Sequence, residues 1–238
     1  MSRTIIISNR LPTKVQRAAT GLTFQPSEGG LATGLGSIYR AEGNVWVGWP
    51  GLSVDDPAEQ DHVREQLSAD SMAPVFLTEA EIRDFYEGFS NSTLWPTFHY
   101  FPQYATYEQA HWDAYVAVNE KFCQAVLALA GPDDTIWVHD YQLLLLPEML
   151  RRERPEATIG FFLHIPFPSY ELLRALPWGT ELVRGMRHVG RRPHRFPHLR
   201  LHAPLPERGV APAGAAQPQR AGGNARPSGA GRCLSDGH

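Results

Sequence analysis

Thr135-Ile-Trp-Val-His-Asp-Tyr-Gln-Leu-Leu-Leu-Leu-Pro147 and Thr158-Ile-Gly-Phe-Phe-Leu-His-Ile-Pro-Phe-Pro168 are two apolar runs, each ending at polar groups: His139 with Asp140 in the first, His164 in the second. Buried strands of a parallel sheet read as unbroken hydrophobic runs, and ligands sit beyond their carboxyl ends, where side chains leave the sheet for the crevice. Asp140 and His164 stand at that place on consecutive strands. For one isolated pair, strand-end residues satisfied by backbone are the ordinary explanation. Recurrence on two strands shifts the balance toward a site.

Outward from these strands the chain alternates. Thr4 to Ser8 predicts a first strand, Leu22 to Pro26 an extended arm before the loop Ser27-Glu-Gly-Gly30, Leu31 to Ala41 a helix, and Asn44 to Gly48 a strand. Pro74 to Thr78 predicts another strand, and Thr78 with Glu81 three residues on forms a capping box for a helix from Glu79 to Phe85. The longest helix is expected from Tyr107 to Ala130. Tyr115, Val118 or Asn119, Phe122, Val126 and Leu129 share one face of it, and Gly131-Pro132 ends it. A strand over Thr135 to His139, a helix over Leu143 to Arg152, a strand over Thr158 to Leu163 and helices over Tyr170 to Leu176 and Thr180 to Gly185 complete the series. Such alternation implies an α/β, doubly wound sheet with a ligand at its carboxyl edge.

The 238 residues, 42% hydrophobic, have the composition of a globular protein. No stretch approaches a membrane span, and Met1 to Arg10 has too short an apolar core for a signal peptide, so a cytoplasmic protein is expected. Cys123 and Cys233 have no metal-ligand spacing, and Cys123 in a helical pattern reads as a buried, inert thiol. The net charge of -3 conceals a break. From Arg187 to His238, nine Arg against Glu207 and Asp236 give about +7, leaving about -10 for the rest. That Pro, Gly, Ala and Arg mixture cannot bury enough surface to offset chain entropy, so residues 187–238 are expected to be disordered. Nothing in it supports a nucleic-acid partner beyond weak electrostatic attraction.

Arg10 closes the first strand as a permanent cation with a fork geometry suited to phosphate, although a surface arginine after a strand is commonplace. Glu28-Gly29-Gly30-Leu31 opens a helix. Paired glycines there let backbone N–H groups approach a phosphate, with an ordinary glycine turn as the equal alternative. Gly34-Leu-Gly36 fails the dinucleotide fingerprint, which argues against a nicotinamide cofactor. Phe85 to Tyr100 mixes aromatics with small polar groups in what reads as a loop. Aromatic faces with hydroxyl and amide partners suit a sugar, and a structural aromatic cluster is the competitor.

The words Ile-Ser-Asn-Arg10, Gly29-Gly-Leu31, Trp46-Val-Gly-Trp49, Phe89-Ser-Asn-Ser-Thr-Leu-Trp-Pro96, Trp137-Val-His-Asp-Tyr141, Gly160-Phe-Phe-Leu-His-Ile-Pro-Phe-Pro168 and Leu176-Pro-Trp178, in this order, resemble the trehalose-6-phosphate synthase family. The resemblance runs from about Thr4 to Met186. It implies a Rossmann-like N-terminal, acceptor-binding domain over residues 1–186, the first half of a GT-B glycosyltransferase with its nucleotide-sugar domain lacking. The implied activity is transfer of glucose from UDP-glucose to glucose 6-phosphate with retention, giving trehalose 6-phosphate. No cofactor, metal or membrane is implied, and a homo-oligomer is left open for the intact enzyme.

Residue by residue, the resemblance implies that Arg10 and Tyr86 meet the acceptor phosphate, Trp95 lines the acceptor pocket, and Asp140 accepts hydrogen bonds from acceptor hydroxyls. Gly29 and Gly30 would lie against the donor diphosphate, and His164 would orient the donor glucose, with His164 and Asp140 nearest the chemistry. No side chain need act as a nucleophile, since in the family's front-face mechanism the departing diphosphate takes the acceptor proton. Two alternatives stand beside this: a non-catalytic phosphosugar-binding remnant, and a transferase using ADP-glucose and glycerol 3-phosphate.

After Met186 the resemblance stops abruptly. Read one base later, the codons for Arg191 to Gly214 permit a run beginning Ala-Asp-Leu-Ile-Gly-Phe-His-Thr-Tyr, which is similar to the family's next strand. A tandem CGGCATG would encode Arg184 to His188 and produce the shift. The tail is therefore expected to be out of frame, and the chain as written to be an inactive truncated form.

Overall fold

The computed structural model describes residues 3–19, 21–27, 34–35, 43–187 and 189. The chain divides into two units, Met1–Leu199 and Arg200–His238, and the described residues all belong to the first. The expected helix over Leu31 to Ala41 lies outside the described residues except at Gly34 and Leu35, as do Gly29, Gly30 and most of the basic tail.

Five parallel strands carry the unit: β1 (Thr4–Arg10), β4 (Val45–Trp49), β5 (Met72–Pro74), β6 (Thr135–His139) and β7 (Thr158–Phe162). Their order across the sheet is β5-β4-β1-β6-β7. Ile5, Ile6 and Ile7 of β1 are wholly buried on both faces, as the central strand of a covered parallel sheet requires. Ile5 and Ile7 join one core with Val47, Phe85, Tyr115, Phe122 and Leu146; Ile6 joins the other with Trp46, Val63 and Leu67. Helices therefore cover both faces, which is the doubly wound arrangement expected. From β1 the chain builds outward through β4 and β5, then returns to lay β6 and β7 on the other side. The order reverses between β1 and β6, and open α/β sheets bind ligands at that reversal.

Several elements differ from expectation. Leu22 to Pro26 is not a lone arm: Thr13–Ala18 (β2) and Gly21–Pro26 (β3) form an antiparallel hairpin. The Leu11 and Val15 N–H groups donate to the carbonyls of Trp49 and Pro50, fixing the hairpin beside β4. Pro57–Ser68 forms an unforeseen helix, α1, capped by Asp56, which accepts from the Ala58 N–H, with Pro at its first position. The strand expected at Pro74 to Thr78 lies earlier, at Met72–Pro74. The largest difference is in the aromatic segment taken for a loop. The Thr78 and Glu81 capping box forms and opens a short helix, α2 (Glu79–Glu81), but the chain does not leave it at Phe85. It continues as a π-helix over Ile82–Leu94 and then α3 (Trp95–Phe98). At Gly88 a Cβ would come within 2.7 Å of the His111 ring, so only glycine lets the π-helix lie this close to the next helix.

That next helix, α4 (Gln109–Leu129), buries Tyr115, Val118, Asn119, Phe122, Cys123 and Val126, the face expected. Burial pushes the Cys123 thiol up to about 11, consistent with an inert group. The helix expected from Leu143 begins later, as α5 (Leu146–Glu153), after a 3-10 turn over Tyr141–Leu143. α6 (Tyr170–Ala175) and α7 (Gly179–Met186) follow β7. Among the described residues no helix is long and apolar enough to cross a membrane.

Candidate functional site

β1 delivers Arg10. Its register against β4 shifts between Ile7 and Arg10, and Gly48 makes the shift feasible, since a Cβ there would meet the Leu11 nitrogen and the Arg10 carbonyl carbon at about 3 Å. The Ser8 hydroxyl, itself accepting from the Trp46 indole N–H at 2.7 Å, donates to the Arg10 carbonyl at 2.7 Å and fixes the strand end. The guanidinium then lies 4.6 Å from the Trp49 ring centre and 5.5 Å from that of Tyr86. Both are cation–π distances, and they hold an exposed cation in place without consuming its N–H donors. Tyr86 thus lies beside Arg10. Trp49, which sequence reasoning had not singled out, is the second wall; its signal was its position at the end of the strand beside β1.

β6 delivers Asp140 in a strained backbone. At φ 75 and ψ 171 it occupies a region that essentially only glycine adopts. Its N–H donates to the Phe162 carbonyl at 2.8 Å, and its Oδ1 accepts from the N–H groups of Tyr141 at 3.0 Å and His164 at 3.3 Å. The carboxylate therefore bridges the ends of β6 and β7. Burial raises its pKa above the ordinary range, opposed by the Tyr141 N–H and by His164. The turn after it is bolted to α4. The Tyr115 hydroxyl donates to the Tyr141 carbonyl at 2.7 Å and accepts from the Leu144 N–H at 3.1 Å. The Asn119 amide donates to the Gln142 carbonyl at 3.1 Å.

β7 delivers His164 beside it. Its Nε2 lies 3.1 Å from Nδ1 of His139, the buried last residue of β6. Burial lowers the His139 pKa to about 3 and also depresses His164, which Asp140 pulls upward. Both rings are neutral near pH 7.

Trp95 opens α3 and lines an open pocket of about 460 Å³ with Asn91, Ser92, Pro96, Phe101, Tyr104 and Thr106. That pocket includes none of Arg10, Tyr86, Asp140 and His164. The His99 ring stacks on it at 4.1 Å while His99 Nδ1 lies 2.7 Å from the Trp95 carbonyl oxygen, which holds the indole at the rim. Asn91 ties this pocket to the Asp140 turn, its Oδ1 accepting from the Tyr141 hydroxyl at 3.0 Å. The structure thus joins Arg10 with Tyr86, Asp140 with His164, and Trp95 to the Asp140 turn through Asn91 and Tyr141. A fixed cation, a half-buried acceptor and an aromatic wall with amide and hydroxyl groups suit a phosphorylated, polyhydroxylated ligand. Gly29 and Gly30 lie outside the described residues. Among the described residues no three His, Cys, Asp or Glu are grouped to hold a metal.

A family model described as "Glycosyltransferase family 20" matches residues 2–190. The bifunctional trehalose-6-phosphate synthase/phosphatase of Thermoproteus tenax is 48% identical over 195 residues, 77% of this chain and 26% of that protein. The crystal structure of a UDP-forming alpha,alpha-trehalose-phosphate synthase from Burkholderia vietnamiensis matches with a TM-score of 0.65 at 38% identity, covering 79% of this chain and 40% of that one. One from Burkholderia xenovorans, in complex with glucose-6-phosphate, matches with a TM-score of 0.62 at 33% identity, covering 79% and 39%. The chain spans about a quarter to two fifths of the length of these relatives.

Proposed function

The chain belongs to glycosyltransferase family 20, and from that premise we propose that its described unit is the acceptor-binding half of a retaining glucosyltransferase that makes trehalose 6-phosphate from UDP-glucose and glucose 6-phosphate. The observation that carries this reading is Arg10, held between Trp49 and Tyr86 at the sheet's reversal point, its guanidinium making no hydrogen bond or ion pair among the described residues and so able to take a phosphate. The glucose ring would then extend toward Asp140, whose carboxylate accepts from its hydroxyls, with Trp95 against the apolar ring face. His164 would meet the donor glucose, and Gly29 and Gly30 the donor diphosphate. The described side chains position reactants rather than bond to them: Asp140 is engaged by two backbone N–H groups, and His139 and His164 are committed to each other. The groups that stabilise the leaving diphosphate would come from a second, nucleotide-sugar half, and the reading places both charged substrates in the cytoplasm.

Titration calorimetry of the chain with glucose 6-phosphate, glucose and glycerol 3-phosphate tests it. Glucose 6-phosphate should bind best, and Arg10→Ala should weaken it by about 1.5–3 kcal/mol, the scale of a charge-assisted hydrogen bond. Equal binding of glucose, or an unaffected Arg10→Ala protein, would refute the phosphate assignment. Preference for glycerol 3-phosphate would move the reading to the related acceptor.

A further inference from the structure

His139 has so far been given no role of its own beyond its contact with His164, yet it is tightly constrained. It is 1% exposed at the end of β6, with the Trp137 ring 4.5 Å and the Phe162 ring 6.3 Å away between centres. Its Nδ1 faces Nε2 of His164 at 3.1 Å, and its own Nε2 is buried with no hydrogen-bond partner among the described residues. Two neutral imidazoles at that distance share one proton, which leaves two arrangements. If His164 donates from Nε2, His139 must carry its proton on Nε2, where a buried N–H finds no acceptor. If His139 donates from Nδ1, its Nε2 is a bare lone pair. Orphaned buried N–H groups are rarer and costlier than unpaired acceptors, so the second arrangement wins.

We propose that His139 is a positioning residue that fixes the tautomer of His164, forcing its proton onto Nδ1 so that it presents one N–H donor to the donor sugar or its phosphate. The fixed ring offers that donor with no reorganisation when the substrate arrives. It also disfavours a doubly protonated His164, since a cation there would put two N–H groups face to face or move the His139 proton to its orphaned nitrogen. Burial of His139 acts in the same sense, keeping that ring uncharged. The role of the Nδ1–H toward substrate rests on the reading of His164 given above; the tautomer itself does not.

The test is a long-range proton–nitrogen NMR spectrum of the full chain labelled with 15N-histidine at pH 7, the His164 signals being identified by their loss in His164→Gln. His164 should show the Nδ1-protonated pattern. His139→Asn keeps a donor near the Nδ1 position and should preserve it, whereas His139→Leu should move the proton to Nε2. An Nε2-protonated or averaged His164 in the unaltered chain overturns the proposal, and that spectrum decides even if the Leu variant does not fold. So does an Asn variant that behaves like Leu. UDP-glucose is then added. A shifted His164 signal supports its place beside the donor, and an unmoved one sinks that placement while leaving the histidine pair intact.

Discussion

Acidification should destabilise this fold through His139, by an amount that can be worked out. Its pKa is depressed from 6.5 to about 3 by burial, with His164 adding to the effect. The unfolded chain therefore takes up a proton as pH falls through the ordinary histidine range, while the folded chain does not. Stability from the neutral ring is fully present above pH 6.5 and is lost progressively as pH falls toward 3. Integrating the proton difference from pH 7.5 to pH 5 gives a loss of about 2 kcal/mol. His164, depressed chiefly by its own burial, acts in the same direction, and Asp140, whose pKa is raised, acts in the opposite one.

Urea unfolding followed by tryptophan fluorescence at several pH values measures this. With a denaturant slope of about 2–3 kcal/mol per molar, the midpoint should fall by roughly 1 M between pH 7.5 and 5. His139→Asn cannot titrate, so its curve should lack most of that fall, and the difference between the proteins largely removes the contribution of surface carboxylates. Parallel pH dependences in the two would refute the reasoning, because they would mean that His139 is accessible to protons in the folded state.

Three further outcomes follow from other parts of the structure. Asp140→Gly should be more stable than Asp140→Ala by about 1–3 kcal/mol, since both lose the carboxylate and only glycine is at ease at φ 75 and ψ 171; equal midpoints would mean that the backbone is not held there. Gly88→Ala should cost about 1–3 kcal/mol and weaken glucose 6-phosphate binding, because the methyl group meets the His111 ring and must displace the π-helix that carries Tyr86 and Asn91; an unchanged midpoint would refute the close approach. Resequencing the gene across the codons for Arg184 to Arg191 should show either a single CGGCATG with the frame restored or the tandem copy in the gene itself, and codons that do not form this repeat would remove the proposed origin of the shift.

The strand ends were legible because a central parallel strand announces itself: Ile5, Ile6 and Ile7, Ile136 and Val138, and Ile159 and Phe161 are all buried as the uninterrupted runs predicted. Arg10, Asp140 and His164 follow from where those runs stop. The α4 face was legible for the same reason, its period being set by one large core. What escaped was held by contacts distant in sequence. β2 buries only Val15, and its place is fixed by hydrogen bonds to carbonyls more than thirty residues away, so no local alternation marks it. α1 shows only Val63 and Leu67 on a polar helix, although Asp56-Pro57 was a usable start signal. Trp49 reads as one more apolar strand residue until the sheet order places it opposite Arg10.

The aromatic segment failed for a deeper reason. From Tyr86 to Trp95 is nine residues, about two and a half turns of an α-helix, so α-helical periodicity puts these residues on opposite faces and discards the segment as a helix. In a π-helix, bonded i to i+5, the same nine residues make about two turns. The Trp95 N–H donating to the Ser90 carbonyl is that bonding pattern at its far end. Tyr86, Asn91 and Trp95 then fall along one stripe: Tyr86 over Arg10, Asn91 bonded to Tyr141, and Trp95 lining a pocket with Asn91. The residues that a sugar phosphate would need were therefore visible in composition but scattered in any α-helical projection. The wider turn that aligns them requires Gly88 against His111, a contact that local sequence cannot display. Strained or rare backbone at both Asp140 and the π-helix falls where the ligand is proposed to sit, as expected when local preference yields to the geometry of a site.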